Sequence, residues 1–336
     1  MKHIVYVGGK SGGHIIPALT LAAQEHVAGN RVSFIALDRA LDRGLCQRES
    51  YLSATCFLSL RPVMPCHVWK YPAYGIDLVR AVYQCVRFLR SCAATHMVSM
   101  GGYLSVPAVI AARMLKIPIS MYELNAEPGV AVQWLARSVD CVYYCFPAVR
   151  VHFPAEIVSQ HASYPIRYQS HARMSAEQAR ERCDIAQARV VLFVLGGSQG
   201  SQFLNQLMID WLRQRSLPER KELYVIHQTG EDSCTYVKES YEQLGVDACV
   251  FAFHDNLAPY YCASDCIITR AGAGALHEII FFQRPAIIIP LEVSSTVHQL
   301  ANAHAVVAAY PDRYRVFRQH EHQQLMHAFT QVLAKE

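Results

Sequence analysis

Gly8-Gly9-Lys10-Ser11-Gly12-Gly13-His14 sets four glycines and a histidine in seven residues, directly behind the apolar run Ile4-Val5-Tyr6-Val7 and ahead of a helix opened by Pro17. Glycine lets backbone N–H groups approach a phosphate closely, and the N-terminus of the following helix adds a partial positive charge. The stretch therefore predicts an anion cradle. His14 adds a ring whose pKa range suits a general base or a hydrogen-bond donor to phosphate. Two well-known phosphate loops do not fit. A Walker loop needs glycine where Ile4 stands, and the order Gly-Gly-x-x-Gly-Gly is not the dinucleotide fingerprint Gly-x-Gly-x-x-Gly. A glycine-rich turn that holds no ligand is the plainer reading of the same residues.

A second candidate is Arg270-Ala271-Gly272-Ala273-Gly274-Ala275-Leu276-His277-Glu278. Small residues ahead of a helix let a ligand lie against its N-terminus, where N–H groups without intrahelical partners bind a diphosphate. Glu278 has the chemistry to accept hydrogen bonds from two neighbouring ribose hydroxyls; a surface carboxylate opposing the helix dipole is the alternative. No Asp-x-Asp occurs, so no obvious carboxylate pair for Mg²⁺ stands beside a nucleotide sugar. Glycine loops and helix dipoles would neutralise a diphosphate leaving group without metal, and neither metal nor cofactor is expected. Among the 16 histidines, His227, His254, His277 and His298 are further candidates, each with an ordinary packing or surface role as its alternative.

The elements that position these residues alternate along the chain. Apolar, β-branched runs at Ile4–Val7, Val32–Ala36, Met97–Met100, Ile119–Tyr122 and Val139–Tyr144 are separated by helical patterns. A second set follows at Val190–Leu195, Tyr224–His227, Cys249–Phe253, Cys266–Thr269 and Ala286–Pro290. This alternation predicts parallel sheets with helical crossovers. The polar, aromatic stretch from Pro154 to Arg173 marks a break, after which a glycine turn recurs as Leu195-Gly196-Gly197-Ser198-Gln199-Gly200. We therefore expect an α/β protein with two Rossmann-like halves, each opening a glycine loop at a strand's carboxyl end and facing the other across a cleft. The expected divisions are 1–160, 161–310 and a C-terminal helix over 311–336 packing back toward the first domain.

With 336 residues, 52% hydrophobic and 17% charged, the chain has material for two large cores. A net charge of +4 gives no argument for nucleic acid. Twelve cysteines without a Cys-x-x-Cys read as small core residues in a reducing compartment, and the immediate entry into a strand leaves no room for a signal peptide. No apolar run approaches the roughly 20 residues that span a bilayer. From Val63 to Arg90, Leu78, Val79, Val82, Tyr83, Val86, Phe88 and Leu89 are interleaved with Lys70, Arg80, Arg87 and Arg90. That pattern fits an interfacial helix touching anionic lipid, and equally an amphipathic helix docked on the sheet.

Ordered motifs along the chain carry a resemblance. Gly8–His14 with Pro17, Gly101-Gly102-Tyr103-Leu104-Ser105-Val106-Pro107, Glu123-Leu124-Asn125-Ala126-Glu127-Pro128-Gly129 and Ser163-Tyr164-Pro165-Ile166-Arg167 come first. Gly196–Gly200 with Leu204-Asn205, His227-Gln228-Thr229-Gly230 and His298-Gln299 with Asn302-Ala303 follow. In this order, over roughly residues 4–305, the chain resembles the bacterial UDP-N-acetylglucosamine transferases that convert lipid I to lipid II in peptidoglycan synthesis, which are two-domain GT-B glycosyltransferases.

The resemblance implies an inverting transfer of N-acetylglucosamine from UDP-N-acetylglucosamine to the C4 hydroxyl of an undecaprenyl-diphosphate-linked N-acetylmuramoyl peptide. It also implies a peripheral position on the cytoplasmic face of the plasma membrane. It places Ser11, Gly12 and Gly13 at the sugar beside Asn125, Arg167 and Ser198 on the nucleotide, and His254 where backbone groups read the uracil. Ala273, Gly274, Ala275, Leu276, His277 and Glu278 would hold diphosphate and ribose, and Gln299 the donor sugar. Gly8, Gly9, Gly101, Gly102, Tyr103 and Ser105 would meet the acceptor, with His14 as base or orienting group. Leu124 in place of glutamine, Ser163-Tyr164 in place of Gly-Asn, Gly274-Ala275 in place of Leu-Thr and Thr296-Val297 in place of a charged pair depart from the family pattern. A transferase with another lipid-linked acceptor, a UDP-N-acetylglucosamine epimerase and a non-catalytic donor-binding scaffold remain the competing readings.

Overall fold

The computed structural model describes residues 1–9, 12–61, 71–185, 190–197, 199–293 and 297–333. Ser11 and Ser198, two of the expected donor contacts, lie outside the described residues, as do Lys70 and Thr296. The chain divides into two compact units, Met1–Arg167 and Tyr168–Glu336.

The first unit runs β1 (His3–Val7), α1 (Gly12–Val27), β2 (Arg31–Leu37), α2 (Ala40–Arg48), β3 (Ala54–Leu58), α3 (Tyr71–Ser91), β4 (His96–Ser99), α4 (Ser105–Met114), β5 (Ile119–Glu123), α5 (Val130–Leu135), β6 (Cys141–Tyr144) and β7 (Ser159–His161). Its sheet is parallel throughout in the order β3-β2-β1-β4-β5-β6-β7. Every residue of β1 is buried, as a central strand covered by helices on both faces requires.

The second unit runs α6 (Ala176–Arg182), β8 (Val190–Leu195), α7 (Gln202–Arg213), α8 (Leu217–Lys221), β9 (Leu223–Gln228), α9 (Cys234–Leu244), β10 (Asp247–Phe251), α10 (Ala258–Ala263), β11 (Cys266–Thr269), α11 (Ala273–Phe282), β12 (Ala286–Ile288), α12 (Val297–Ala309), β13 (Tyr314–Val316) and α13 (His322–Leu333). Its parallel sheet has the order β10-β9-β8-β11-β12-β13.

All ten strands read from the sequence are present. β3, β7 and β13 are additional, and all three are short edge strands of three to five residues. The division between units falls at Arg167/Tyr168 rather than at 160/161, because Tyr168 belongs to the second core. Its ring stacks on Phe281 and meets Tyr261 and Phe282 edge-on, and its hydroxyl accepts from the Leu257 N–H at 3.1 Å. The C-terminal helix places its apolar face in its own unit. Leu325, Ala328 and Phe329 of α13 lie in the second core, where Phe329 meets the fully buried Trp211 edge-on at 5.6 Å. Truncating Phe329 to alanine there costs about 3–5 kcal/mol.

The described cysteines are all free, and Cys46, Cys85, Cys92, Cys145, Cys262 and Cys266 are buried. Helix α3 is amphipathic. Ala81, Cys85 and Leu89 enter the core, while Ile76, Val79 and Tyr83 stay exposed beside Arg80, Arg87 and Arg90.

Candidate active site

In each sheet, the strand order reverses direction beside the first strand of the unit, between β1 and β4 in one and between β8 and β11 in the other. Loops leaving the carboxyl ends of the two strands at such a point diverge to opposite sides and open a crevice for a ligand. The sequence places its glycine loops at these four strand ends.

In the first unit the loops after β1 and β4 meet. Gly12 and Gly13 open α1, with no acidic residue in its first turn. His14 follows, and its Nδ1 lies 2.9 Å from the carbonyl oxygen of Met100 at the end of β4. A carbonyl only accepts, so Nδ1 carries the proton and Nε2 is the basic nitrogen of the neutral ring. Gly101 and Gly102 both adopt positive φ, +73° and +75°, and a Cβ on Gly101 would stand 2.6 Å from Val132 Cγ2. A Cβ on Gly102 would stand 3.8 Å from His14 Cε1. Gly8 and Gly9 are buried in the first loop, with the Gly8 N–H donating to Ile35 O at 3.2 Å.

Ser105 supports the Gly101–Gly102 turn. It is fully buried at the start of α4, donates to Gly101 O at 2.6 Å and accepts from the Ser99 hydroxyl at 2.5 Å. Its hydroxyl braces the glycine turn from within. Tyr103 is half-buried beside that turn.

Asn125, half-buried after β5, is held by Glu123. Glu123 Oε1 accepts from the Asn125 N–H at 2.8 Å and from its Nδ2 at 3.2 Å, and Oε2 accepts from the Gly129 N–H at 3.3 Å. Burial pushes the Glu123 carboxyl up to about 7, against these donors, which pull it down. Leu124, where the family has glutamine, is buried. Arg167 is half-buried at the end of the unit.

In the second unit α11 begins at Ala273 behind Gly272, whose extended backbone provides no side-chain cap. The N–H groups of Ala273, Gly274 and Ala275 therefore stand at the helix's positive end without intrahelical partners. Ala273 and Leu276 bury their side chains, so any ligand contact from them is through the backbone; Leu276 donates its N–H to Gly272 O. Gly274, Ala275, His277 and Glu278 are half-buried, and Glu278 Oε2 accepts from Tyr261 OH at 2.8 Å. Gln299, near the start of α12, accepts the Leu291 N–H at 3.0 Å on Oε1, leaving its Nε2 to donate elsewhere. His254 is exposed beyond β10, two strands from the β8/β11 point, and its Nδ1 accepts from the Asn256 N–H.

The loop after β8 rests on the end of β9. A Cβ on Gly200 would lie 1.9 Å from Thr229 O and 2.7 Å from Gly230 Cα, and one on Gly230 would lie 2.8 Å from Gly200 Cα. Gln228 Nε2 donates to Gly197 O at 2.7 Å. The His-Gln-Thr-Gly motif is thus a support for the loop. His227 itself is fully buried between Tyr241 OH at 2.7 Å and Asn205 Oδ1 at 3.0 Å, and burial lowers its pKa to about 3. It stays neutral and structural.

Two residues gain roles that sequence reasoning did not assign. Glu123 is one; Arg270 is the other. The Arg270 guanidinium is buried and held by neutral oxygens, with Nε donating to Ser201 Oγ at 3.0 Å, Nη1 to Ile289 O and Pro290 O, and Nη2 to Gln319 Oε1. Burial lowers its pKa to about 10, so it keeps its charge at neutral pH. A cation held by neutral partners at the end of β11 leaves positive potential where α7 and α11 begin. Its signal in the sequence was a lone basic residue between a strand and a run of small residues.

Family models agree with this layout. Residues 4–144 match the glycosyltransferase family 28 N-terminal domain and residues 191–336 the glycosyltransferase family 28 C-terminal domain. The UDP-N-acetylglucosamine–N-acetylmuramyl-(pentapeptide) pyrophosphoryl-undecaprenol N-acetylglucosamine transferase of Myxococcus xanthus is 30% identical over 321 residues, covering 92% of this chain and 79% of that protein. The chain belongs to this family of N-acetylglucosamine transferases. The Pseudomonas syringae member is also 30% identical, over 90% of this chain and 81% of its own length. Among solved structures, Acinetobacter baumannii MurG shares the fold of this transferase with a TM-score of 0.74 at 23% identity, covering 99% of this chain and 92% of that one. The Staphylococcus aureus MnaA–UDP co-structure shares it at a TM-score of 0.67 and 12% identity, over 100% and 88% of the two chains. The transferase has the two-domain GT-B architecture of these proteins.

Proposed function

We infer that this transferase moves N-acetylglucosamine from UDP-N-acetylglucosamine to the C4 hydroxyl of the muramyl sugar in an undecaprenyl-diphosphate-linked N-acetylmuramoyl peptide, releasing UDP, as a step of peptidoglycan synthesis. The observation that carries this reading is the donor and acceptor set in the names of relatives matching nine-tenths of the chain, together with glycine loops at both switch points. In this reading His14 Nε2 takes the proton of the attacking hydroxyl while Nδ1 stays bonded to Met100. The new C–O bond forms at the anomeric carbon as the bond to the UDP oxygen breaks on the opposite side, which inverts the configuration. The electron pair leaves with UDP. The first-turn amides of α11 and the charge of Arg270 meet that developing negative charge. Glu278 holds the ribose hydroxyls, Gln299 the donor sugar and Asn125 the sugar's side in the first unit.

Among the described residues no helix is long and apolar enough to cross a membrane. The exposed stripe Ile76, Val79 and Tyr83 with Arg80, Arg87 and Arg90 supports a peripheral seat on anionic lipid, where the acceptor is anchored. Incubation with UDP-N-acetylglucosamine and a lipid-diphosphate muramyl-peptide acceptor tests the reading. Acceptor-dependent UDP release with formation of a disaccharide is expected. UDP release without acceptor, or donor binding without turnover, would overturn it.

A further inference from the structure

Beside the first unit's glycine corner lies a cavity of about 370 Å³ lined mainly by Leu60, Leu78, Val106, Tyr74, Tyr103 and Arg61. Its volume falls in the range of about 300–1,000 Å³ usual for small-molecule sites, and such sites combine apolar walls with a few polar groups. None of the residues assigned to the donor contributes to it. Tyr103 directly follows the positive-φ pair Gly101–Gly102, so the cavity begins at the loop expected to meet the acceptor.

We propose that this cavity seats the first isoprene units of the acceptor's prenyl chain, a proposal that rests on the lipid-diphosphate acceptor of the preceding reading. Three observations converge on that occupant. The walls from α3 and α4, Leu78 and Val106, are aliphatic and match a hydrocarbon. The Tyr103 hydroxyl is shut off from solvent and has no hydrogen-bond partner among the described residues. A phosphoryl oxygen at the head of the chain supplies the acceptor that this hydroxyl lacks, and the Arg61 guanidinium, paired with Asp77 at 2.8 Å, is a further polar group in the lining. Finally, α3 carries Tyr74 and Leu78 on the cavity side and exposes Ile76, Val79 and Tyr83 on another. A chain rooted in a bilayer thus has an apolar route along one helix from the membrane to the loop. The cavity holds only a short length of chain, so it reads the lipid nearest the diphosphate and leaves the remainder in the membrane.

Val106→Trp and Leu78→Trp fill the cavity from opposite walls, and neither residue belongs to the assigned catalytic or donor set. The test compares both with wild type on two acceptors that share the muramyl-peptide diphosphate, one bearing a long prenyl chain and one a methyl group. Each variant should raise KM for the prenyl acceptor about tenfold, the loss expected when roughly two CH₂ groups lose their burial. The methyl acceptor's KM, the donor's KM and kcat should be unchanged. Equal changes for both acceptors, or none for either, would overturn the proposal. If wild type turns over neither acceptor, the function itself has failed, and calorimetry then decides the cavity alone. Geranyl diphosphate binding more tightly than methyl diphosphate, with the difference abolished in either variant, supports a prenyl site; equal binding of the two diphosphates, or tighter binding of a palmitoyl chain, refutes it.

Discussion

The ring Nδ1 of His14 and the main-chain oxygen of Met100 lie 2.9 Å apart, tying the first turn of α1 to the end of β4. One bond thereby does two things. It fixes the tautomer of the ring, and it locks together the two loops on either side of the sheet's switch point.

Replacing His14 with glutamine should lower kcat by about 10²–10⁴, the usual contribution of a positioned general base, and leave UDP affinity as in wild type. Steady-state rates with titration calorimetry of UDP separate the two effects. A variant with wild-type kcat would remove His14 from the chemistry.

Glu123 predicts a pH-dependent stability. Its folded carboxyl titrates at about 7, above the ordinary 4.5, so folding favours the protonated form. That contribution is complete below pH 4.5 and is lost as pH rises through 7. Each tenfold gain in proton affinity is worth about 1.4 kcal/mol, which makes the whole contribution on the order of 3 kcal/mol. Thermal unfolding followed across this window should show wild type losing stability relative to Glu123→Gln as pH rises. Curves that run parallel would show that the carboxyl does not titrate there.

Glu278→Gln should weaken UDP binding by about 10–100-fold, since a hydrogen bond to a charged group is worth roughly 1.5–3 kcal/mol. The affinity for 2′-deoxy-UDP should change much less. Tyr261→Phe, which removes only the hydroxyl donating to Glu278, separates loss of the ribose contact from loss of the carboxylate's support. Equal losses for UDP and its deoxy analogue would place Glu278 away from the ribose.

Changing Arg80, Arg87 and Arg90 together to glutamine should cost about 1 kcal/mol of membrane affinity per residue at low salt. Co-sedimentation with anionic and zwitterionic vesicles measures this. Binding to anionic vesicles should fall, with donor affinity unchanged, and the difference should fade as salt screens the surface charge. Unaltered vesicle binding would reduce the exposed face of α3 to an ordinary solvated helix.

The strands that position the site were legible because central parallel strands are buried on both faces and read as unbroken apolar runs, as β1 and β8 do. The glycine loops were legible by composition. Edge strands β7 and β13 were not, being three residues long with few apolar side chains, and β3 is a five-residue edge strand too short to stand out. The inward place of the Ser105 hydroxyl was not legible, because sequence cannot say on which side of a turn a hydroxyl lies. Glu123 and Arg270 escaped notice for a related reason: their roles come from what surrounds a buried charge, and only the fold assembles those surroundings. The destination of α13 depended on whether Trp211 presented a complementary face, which no local pattern records.

Gly200 and Gly230 stand thirty positions apart, yet the space a side chain on either would need is taken by the other's stretch of backbone, Thr229 and Gly230 against Gly200, and Gln199 and Gly200 against Gly230. Both occupy one volume, so enlarging either cannot be compensated by trimming the other, which has nothing to trim. Ordinary packed pairs drift through sequence space by exchanging bulk between partners. This pair has no neighbouring state to drift to, and a random library selected for function should return glycine at both positions, with no coupled alternatives.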